Sequence, residues 1–173
     1  VLDWHDQNIC GNEVKFPNSG RIFRVMPTGV KDTVTPDLSA MSDAELVEHQ
    51  LHSNDWFVRH ARTLLQYRQA SGTLNRKVVH QKLSDILNTT SEPSKRLRAL
   101  WALHVTDGLA VNRLYELLND TDEHVRAWSI QFLCDVSESN AFQPERNTDW
   151  VLEPDVLQKL AAMAKDDPSQ VVR

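Results

Sequence analysis

From Ser42 onward, apolar side chains recur at helical spacing, and the segments that carry them are separated by short polar turns. Ala44, Val47 and Leu51 share a face at i, i+3 and i+7. Just ahead of them, Ser42-Asp43-Ala44-Glu45 has the form of a capping box, a serine oxygen for a backbone N–H and a glutamate to reach back. Val58, Ala61, Leu64 and Leu65 line a second helix that Asp55 caps and Gly72 ends. The pattern predicts further helices over 74–88 (Val79, Leu83, Ile86, Leu87), 94–105 (Leu97, Leu100, Trp101, Leu103), 109–118 and 122–136 (Val125, Trp128, Phe132, Leu133). A last helix over 153–165 runs through Leu157, Leu160, Ala161 and Ala164. The turns between partners are short, which makes them antiparallel neighbours. A polar insertion over 137–152, with Asn and Pro, interrupts the scheme.

Residues 1–26 are patterned differently. Val1 to Trp4 and Arg21 to Met26 are β-leaning runs joined by a loop rich in Asn, Gly and Pro, and they predict a short β-hairpin. An isolated two-stranded hairpin is marginal in water, so it is expected to belong to a larger sheet or to pack on the helices. Residues 27–41 carry breakers and no period and form a linker. The predicted organisation is therefore a hairpin remnant over 1–26, a linker over 27–41 and helical repeats over 42–173.

A five-residue phrase recurs through the helical part: a capping residue, two variable positions, an aliphatic residue, then arginine. It reads Asp55-Trp56-Phe57-Val58-Arg59, Ser94-Lys95-Arg96-Leu97-Arg98, Asp122-Glu123-His124-Val125-Arg126 and Ser169-Gln170-Val171-Val172-Arg173. The arginines lie 39, 28 and 47 residues apart, intervals typical of stacked helical repeats. Each opening Asp or Ser is expected to cap its helix, typically worth about 1 kcal/mol. Pro93 and Pro168 stand directly before Ser94 and Ser169, where they stop the preceding helix. The aliphatic residue points into the seam within a repeat, and the arginine beside it is placed to reach a cap or carbonyl of the adjacent repeat. Capped helix pairs with Val-Arg near the start of the second helix resemble HEAT repeats, and the resemblance covers about 42–173. Nearest-neighbour stacking accounts for these arginines without a ligand. Because no helix follows the fourth phrase, the array is expected to continue in a longer protein.

Composition narrows the function classes. With 40% apolar and 25% charged residues the chain has the make-up of a water-exposed globular protein. A net charge of −5 with no basic stripe argues against a nucleic-acid or anionic-membrane surface. The apolar runs fall well short of the roughly 20 residues that span a bilayer. Cys10 and Cys134 match no CxxC, CxxCH or zinc spacing; two free thiols are the simpler reading, and one disulfide the other if the parent is exported.

Few residues offer chemistry. His49 and His52 lie at i, i+3 and His60 on the partner helix, yet no carboxylate completes an HExxH pattern and no cysteine is near, so polar-face histidines are expected. Asp3, His5, Asp6 and Asn8 are closely spaced donors for a hard cation, though they match no established ligand spacing and better suit the capping of a tight propeller-type loop. The sequence contains no GxSxG, Walker or GxGxxG motif, so no catalytic residue is assigned. Trp4, Trp56, Trp101, Trp128 and Trp150 fall mainly on apolar faces and are expected in the core. Arg62, Tyr67, Arg96 and Arg113 fall away from the predicted core and are the candidate interaction anchors.

Two stretches together resemble one family. Asp3-Trp4-His5-Asp6 and Gly20-Arg21-Ile22-Phe23-Arg24-Val25 are similar to the closing propeller strands of PVC-type haem-binding membrane-bound dehydrogenases, relatives of quinoprotein sugar dehydrogenases. Asn54 to Arg62 and Leu97 to Leu103 resemble the HEAT segment that follows that propeller. The resemblance implies a periplasmic or otherwise exported parent with haem c and a quinone, and a CxxCH-bearing cytochrome c module after the HEAT segment. No haem or quinone ligand of that family has a counterpart among these residues. The function implied is a non-catalytic scaffold that docks neighbouring domains or another protein, with neither nucleic acid binding nor membrane insertion. The alternative is that the 3–8 loop lends metal or substrate contacts to the parent's dehydrogenase site.

Overall fold

The computed structural model describes residues 2–3, 21–23, 25–29, 36–134 and 154–173. They fall in two compact units, Val1–Pro36 and Asp37–Arg173. In the first, β1 (Leu2–Asp3) and β2 (Arg21–Ile22) form a two-rung antiparallel ladder, Leu2 opposite Ile22 and Asp3 opposite Arg21. The loop expected between them, with His5, Asp6, Asn8 and Cys10, lies outside the described residues, as do Trp4, the insertion over 137–152 and Trp150.

Among its described residues the second unit has helices and no strand. Its elements are α1 (Asp43–Glu48), α2 (Asp55–Ala70), α3 (Arg76–Thr89), α4 (Pro93–Val105), α5 (Val111–Leu117), α6 (Glu123–Cys134) and α7 (Pro154–Asp166), with single 3-10 turns at Leu38–Ala40 and His49–Leu51. α1 opens on the capping box read from the sequence: Ser42 Oγ accepts the Glu45 N–H at 3.3 Å, and the Glu45 carboxylate accepts the Ser42 N–H at 2.8 Å. Gly72 adopts φ +72°, a conformation that strains L-residues, and so allows the turn out of α2.

Two caps differ from expectation. Asn54, not Asp55, caps α2, accepting the Trp56 N–H at 3.0 Å. Ser94 does not cap α4 but lies inside it, because Pro93 already begins the helix, where its missing N–H costs nothing and its fixed φ suits a helix, and Glu92 stands at the cap position. Asp122 does cap α6, accepting the N–H groups of His124 and Val125 at 2.9 and 3.0 Å.

The helices pack as antiparallel pairs: α1 with α2, α3 with α4, α5 with α6. Between pairs, α1 packs on α3, and the second helices run α2 to α4 to α6. One core cluster joins Leu46, Val47, Ala61, Leu65, Val79, Leu83, Leu87, Leu100, Leu103 and Val125. A second joins Leu114, Leu118, Leu133, Val156 and Met163. The inward face of α7 is therefore Val156, half-buried Leu160 and Met163, whereas Leu157 is half exposed and Ala161 and Ala164 face away. This phase differs from the sequence reading because a run rich in Ala and Leu offers two apolar stripes, and only packing chooses between them.

Candidate functional site

Three arginines of the repeated phrases, Arg96, Arg98 and Arg126, bridge the seam between repeats. Arg98, from the second phrase, donates to the His52 carbonyl at 3.1 Å and to Asp55 at 3.4 Å in the first. Arg96 grips Asp120 with both terminal nitrogens, at 2.9 and 2.6 Å, and donates Nε to the Leu87 carbonyl at 2.9 Å. Arg126 grips Asp167 through Nε at 2.9 Å and Nη2 at 2.8 Å, and donates Nη1 to the carbonyls of Asp120 and Thr121. Arg59 stays within its own helix, on Asp55 at 2.5 Å, and is 73% exposed.

The sequence does not show Asp120 and Asp167 as the acceptors of Arg96 and Arg126. Each stands two residues before a phrase and accepts the N–H of that phrase's first residue, Asp122 at 2.9 Å and Ser169 at 2.8 Å. A longer recurrence, Asp120-Thr121-Asp122 against Asp167-Pro168-Ser169 ahead of each Val-Arg, was the available signal. Burial pushes the Asp120 carboxyl up, but the hydrogen bonds from Arg96 and the Asp122 amide, with the Arg96 and Arg113 charges, hold it below the ordinary value. The Asp167 carboxyl is held down chiefly by its bond from Arg126, and Arg126 is raised in turn. A pocket of about 410 Å³ lies at this last step, lined by Leu118, Asp120, Arg126, Lys159, Met163 and Asp167 among others. Both of these cations are engaged, Arg126 on Asp167 and Lys159 on Asn119 at 2.8 Å.

A separate set of rings crosses the second helices. Arg62 on α2 lies over Trp101 on α4, 5.3 Å from the ring centroid. Trp101 meets Trp128 on α6 edge-on at 5.2 Å, Trp128 meets Phe132 at 5.4 Å, and Phe132 stacks on His104 at 3.9 Å. All five side chains are half-buried, so one edge of the stripe faces solvent. The Trp101 indole N–H is buried and meets no hydrogen-bond acceptor.

The four anchors read from the sequence do not share one surface. Arg62 belongs to the stripe. Tyr67, 69% exposed, stands five residues on, about 140° round the same helix. Arg113 is on α5, a first helix, bonded to Glu116 and to Asn88. Arg96 is withdrawn into the seam: its side chain is 15% exposed and its guanidinium is committed to Asp120. A helical wheel cannot show this, because the carboxylate that takes Arg96 is 24 residues away on a turn.

The histidines are engaged in local packing rather than free on a polar face. His49 Nδ1 lies 2.9 Å from the Glu45 carbonyl, His49 and His52 stack at 5.8 Å, and His60 stacks on Trp56 at 3.9 Å. Trp56 is itself 45% exposed, not core. No group of three or more metal-ligating side chains comes together among the described residues, and no described helix is long and apolar enough to cross a membrane. Cys134 is an exposed free thiol.

Antiparallel helix pairs tied from unit to unit by arginine and aspartate define an α-solenoid-like helical scaffold. The HEAT-repeat family matches the chain over residues 81–173, more than half of its length, and the chain belongs to that family. No curated protein and no solved structure matches it.

Proposed function

We propose that this chain is a non-catalytic docking scaffold whose second-helix stripe, Arg62, Trp101, Trp128, Phe132 and His104, receives a protein partner or a neighbouring domain. HEAT arrays are scaffolds by construction, since stacking lays the same helix of each repeat side by side in one extended surface. The observation that carries the reading is the placement of two tryptophans and an arginine, the residue types that dominate binding hot spots, on three successive second helices. The wider setting we propose is a larger exported redox chain, the hairpin being the edge of a preceding propeller-like domain and haem c and a quinone belonging to the parent. That setting, with the periplasmic location, rests on the family resemblance of 3–6, 20–25, 54–62 and 97–103. The alternative reading, metal or substrate contacts from Asp3, His5 and Asp6, rests on sequence alone.

Side-chain oxidative footprinting tests the docking face. In the complete parent chain, Trp101 and Trp128 are expected to be labelled much less than in the isolated 173 residues, while Tyr67 labels equally in both. Equal labelling of the two tryptophans would remove the stripe as a docking face. The redox setting is tested by the reading frame downstream: absence of CxxCH and of a haem absorbance band in the purified parent would refute it.

A further inference from the structure

The stripe holds a cation without a counter-ion. Among the described residues Arg62 makes no hydrogen bond and no ion pair; its contact is the face of Trp101 at 5.3 Å. Arg68, Arg96, Arg98 and Arg126, by contrast, are each matched to a carboxylate and to backbone carbonyls. The Arg62 N–H donors are not among the buried unpartnered atoms, so they open to solvent with no partner among the described residues and can be reached by an acceptor from outside. Burial holds its pKa below the ordinary arginine value, and the Arg59 and Arg98 charges add to that against the pull of Asp55. Asp55 does not offset the cluster, since it already serves Arg59 at 2.5 Å and Arg98 at 3.4 Å. Three cations therefore surround one carboxylate on a chain whose net charge is −5.

We propose that Arg62, braced on Trp101, is the receptor for a carboxylate side chain of an acidic, partly apolar segment of a protein partner. The proposal rests on the docking reading above and adds the chemistry of what docks. A carboxylate fits the planar fork bidentately. The Trp101 and Trp128 rings beside it offer apolar area for the residues flanking the acid. Arg59, 73% exposed, raises the local potential that attracts the segment.

The ¹⁵N-labelled chain is titrated with the acetylated, amidated peptide Gly-Glu-Leu-Glu-Glu-Leu-Gly, with its all-glutamine isostere, and with inorganic phosphate. The arginine Nε–Hε and tryptophan indole resonances are followed. The acidic peptide is expected to shift the Arg62 and Trp101 signals saturably, and the isostere to bind at least about tenfold more weakly, the scale of one charged hydrogen-bonded pair. Arg62→Gln is expected to remove about the same factor. Arg59→Gln, an exposed change that leaves the fold intact, is expected to weaken binding roughly threefold, an effect that disappears near ~0.5 M salt, where screening is short-ranged. If peptide and isostere bind alike at the stripe, the carboxylate assignment falls and the docking reading stands. Binding of phosphate without the peptide, or no shift with either peptide, overturns the proposal, and the footprinting experiment then decides the docking reading by itself.

Discussion

Arg126 holds Asp167 through two hydrogen bonds, Nε at 2.9 Å and Nη2 at 2.8 Å, and the two side chains are only 11% and 7% exposed. The pair spans 41 residues and ties α6 to the turn after α7. Arg96 and Asp120 repeat the relationship one unit earlier, 24 residues apart. In both, the acceptor does double duty: the same carboxylate that takes the guanidinium shapes the turn that starts the next phrase.

This geometry makes stacking acid-sensitive. The Asp120 and Asp167 carboxyls are held below their unfolded value of about 3.9. Their contribution is therefore complete above that value and is lost as pH falls through the lower folded one. The melting temperature is expected to be flat from neutral pH down to about 5 and to drop below about 4. Asp120→Asn should flatten part of that drop, because the variant has already lost the charge at all pH values. An unchanged acid slope in the variant would remove Asp120 from the linkage.

Replacing Arg126 by lysine keeps the charge and loses the fork. Lysine cannot reach both Asp167 oxygens and the two turn carbonyls together. The Arg126→Lys variant is expected to melt about 5 °C lower, close to the loss from Arg126→Gln, if geometry rather than charge is what matters. Thermal unfolding of both variants, followed by circular dichroism, separates the two contributions.

Val125→Asp should be far more damaging than His49→Ala. Val125 is fully buried in the main cluster, where an unpaired carboxylate costs several kcal/mol or is forced to protonate. His49 is half-buried and loses one ring stack and one bond to the Glu45 carbonyl, a change of about 1 kcal/mol. Comparable destabilisation in urea titrations would contradict the placement of Val125.

Gly108→Ala tests the turn between α4 and α5. A Cβ there would stand 2.7 Å from His80 Cδ2 and 2.9 Å from Leu103 Cδ2. The His80 ring is fixed by its contact with the Thr106 carbonyl at 2.9 Å, and Leu103 is core, so neither yields freely. A loss of about 1–3 kcal/mol is expected from this overpacking. A neutral substitution would mean that His80 swings out.

Much of the helical array is legible in the sequence because its causes are local. The Ser42 capping box, the Gly72 exit and the inward faces of α2 and α3 each depend on residues within a few positions of one another. Caps shift by one residue where two candidates stand side by side: Asn54 takes the N–H, and Asp55 is drawn to Arg59 and Arg98. The candidate site is less legible. Arg96 and Arg62 look alike on a helical wheel, and only the partner 24 residues away on a turn makes one a seam residue. The stripe is assembled from α2, α4 and α6, so its continuity from Arg62 to Phe132 is a property of stacking that no single helix encodes.

The Arg126 to Asp167 bond also sets the grain at which such an array can be recombined. The Arg96 and Arg126 guanidinium groups are each supplied by one unit and neutralised by the next, so for these two steps the transferable module is not a helix pair but the span from one Asx turn to the following one. A segment cut after α6 would keep the Arg126 guanidinium and discard its acceptor. A graft that begins at Asp120 and ends beyond Asp167 would carry a matched acceptor for both its incoming and its own arginine. Repeat insertion, deletion or exchange in this protein should therefore be designed on the carboxylates and not on the helix ends.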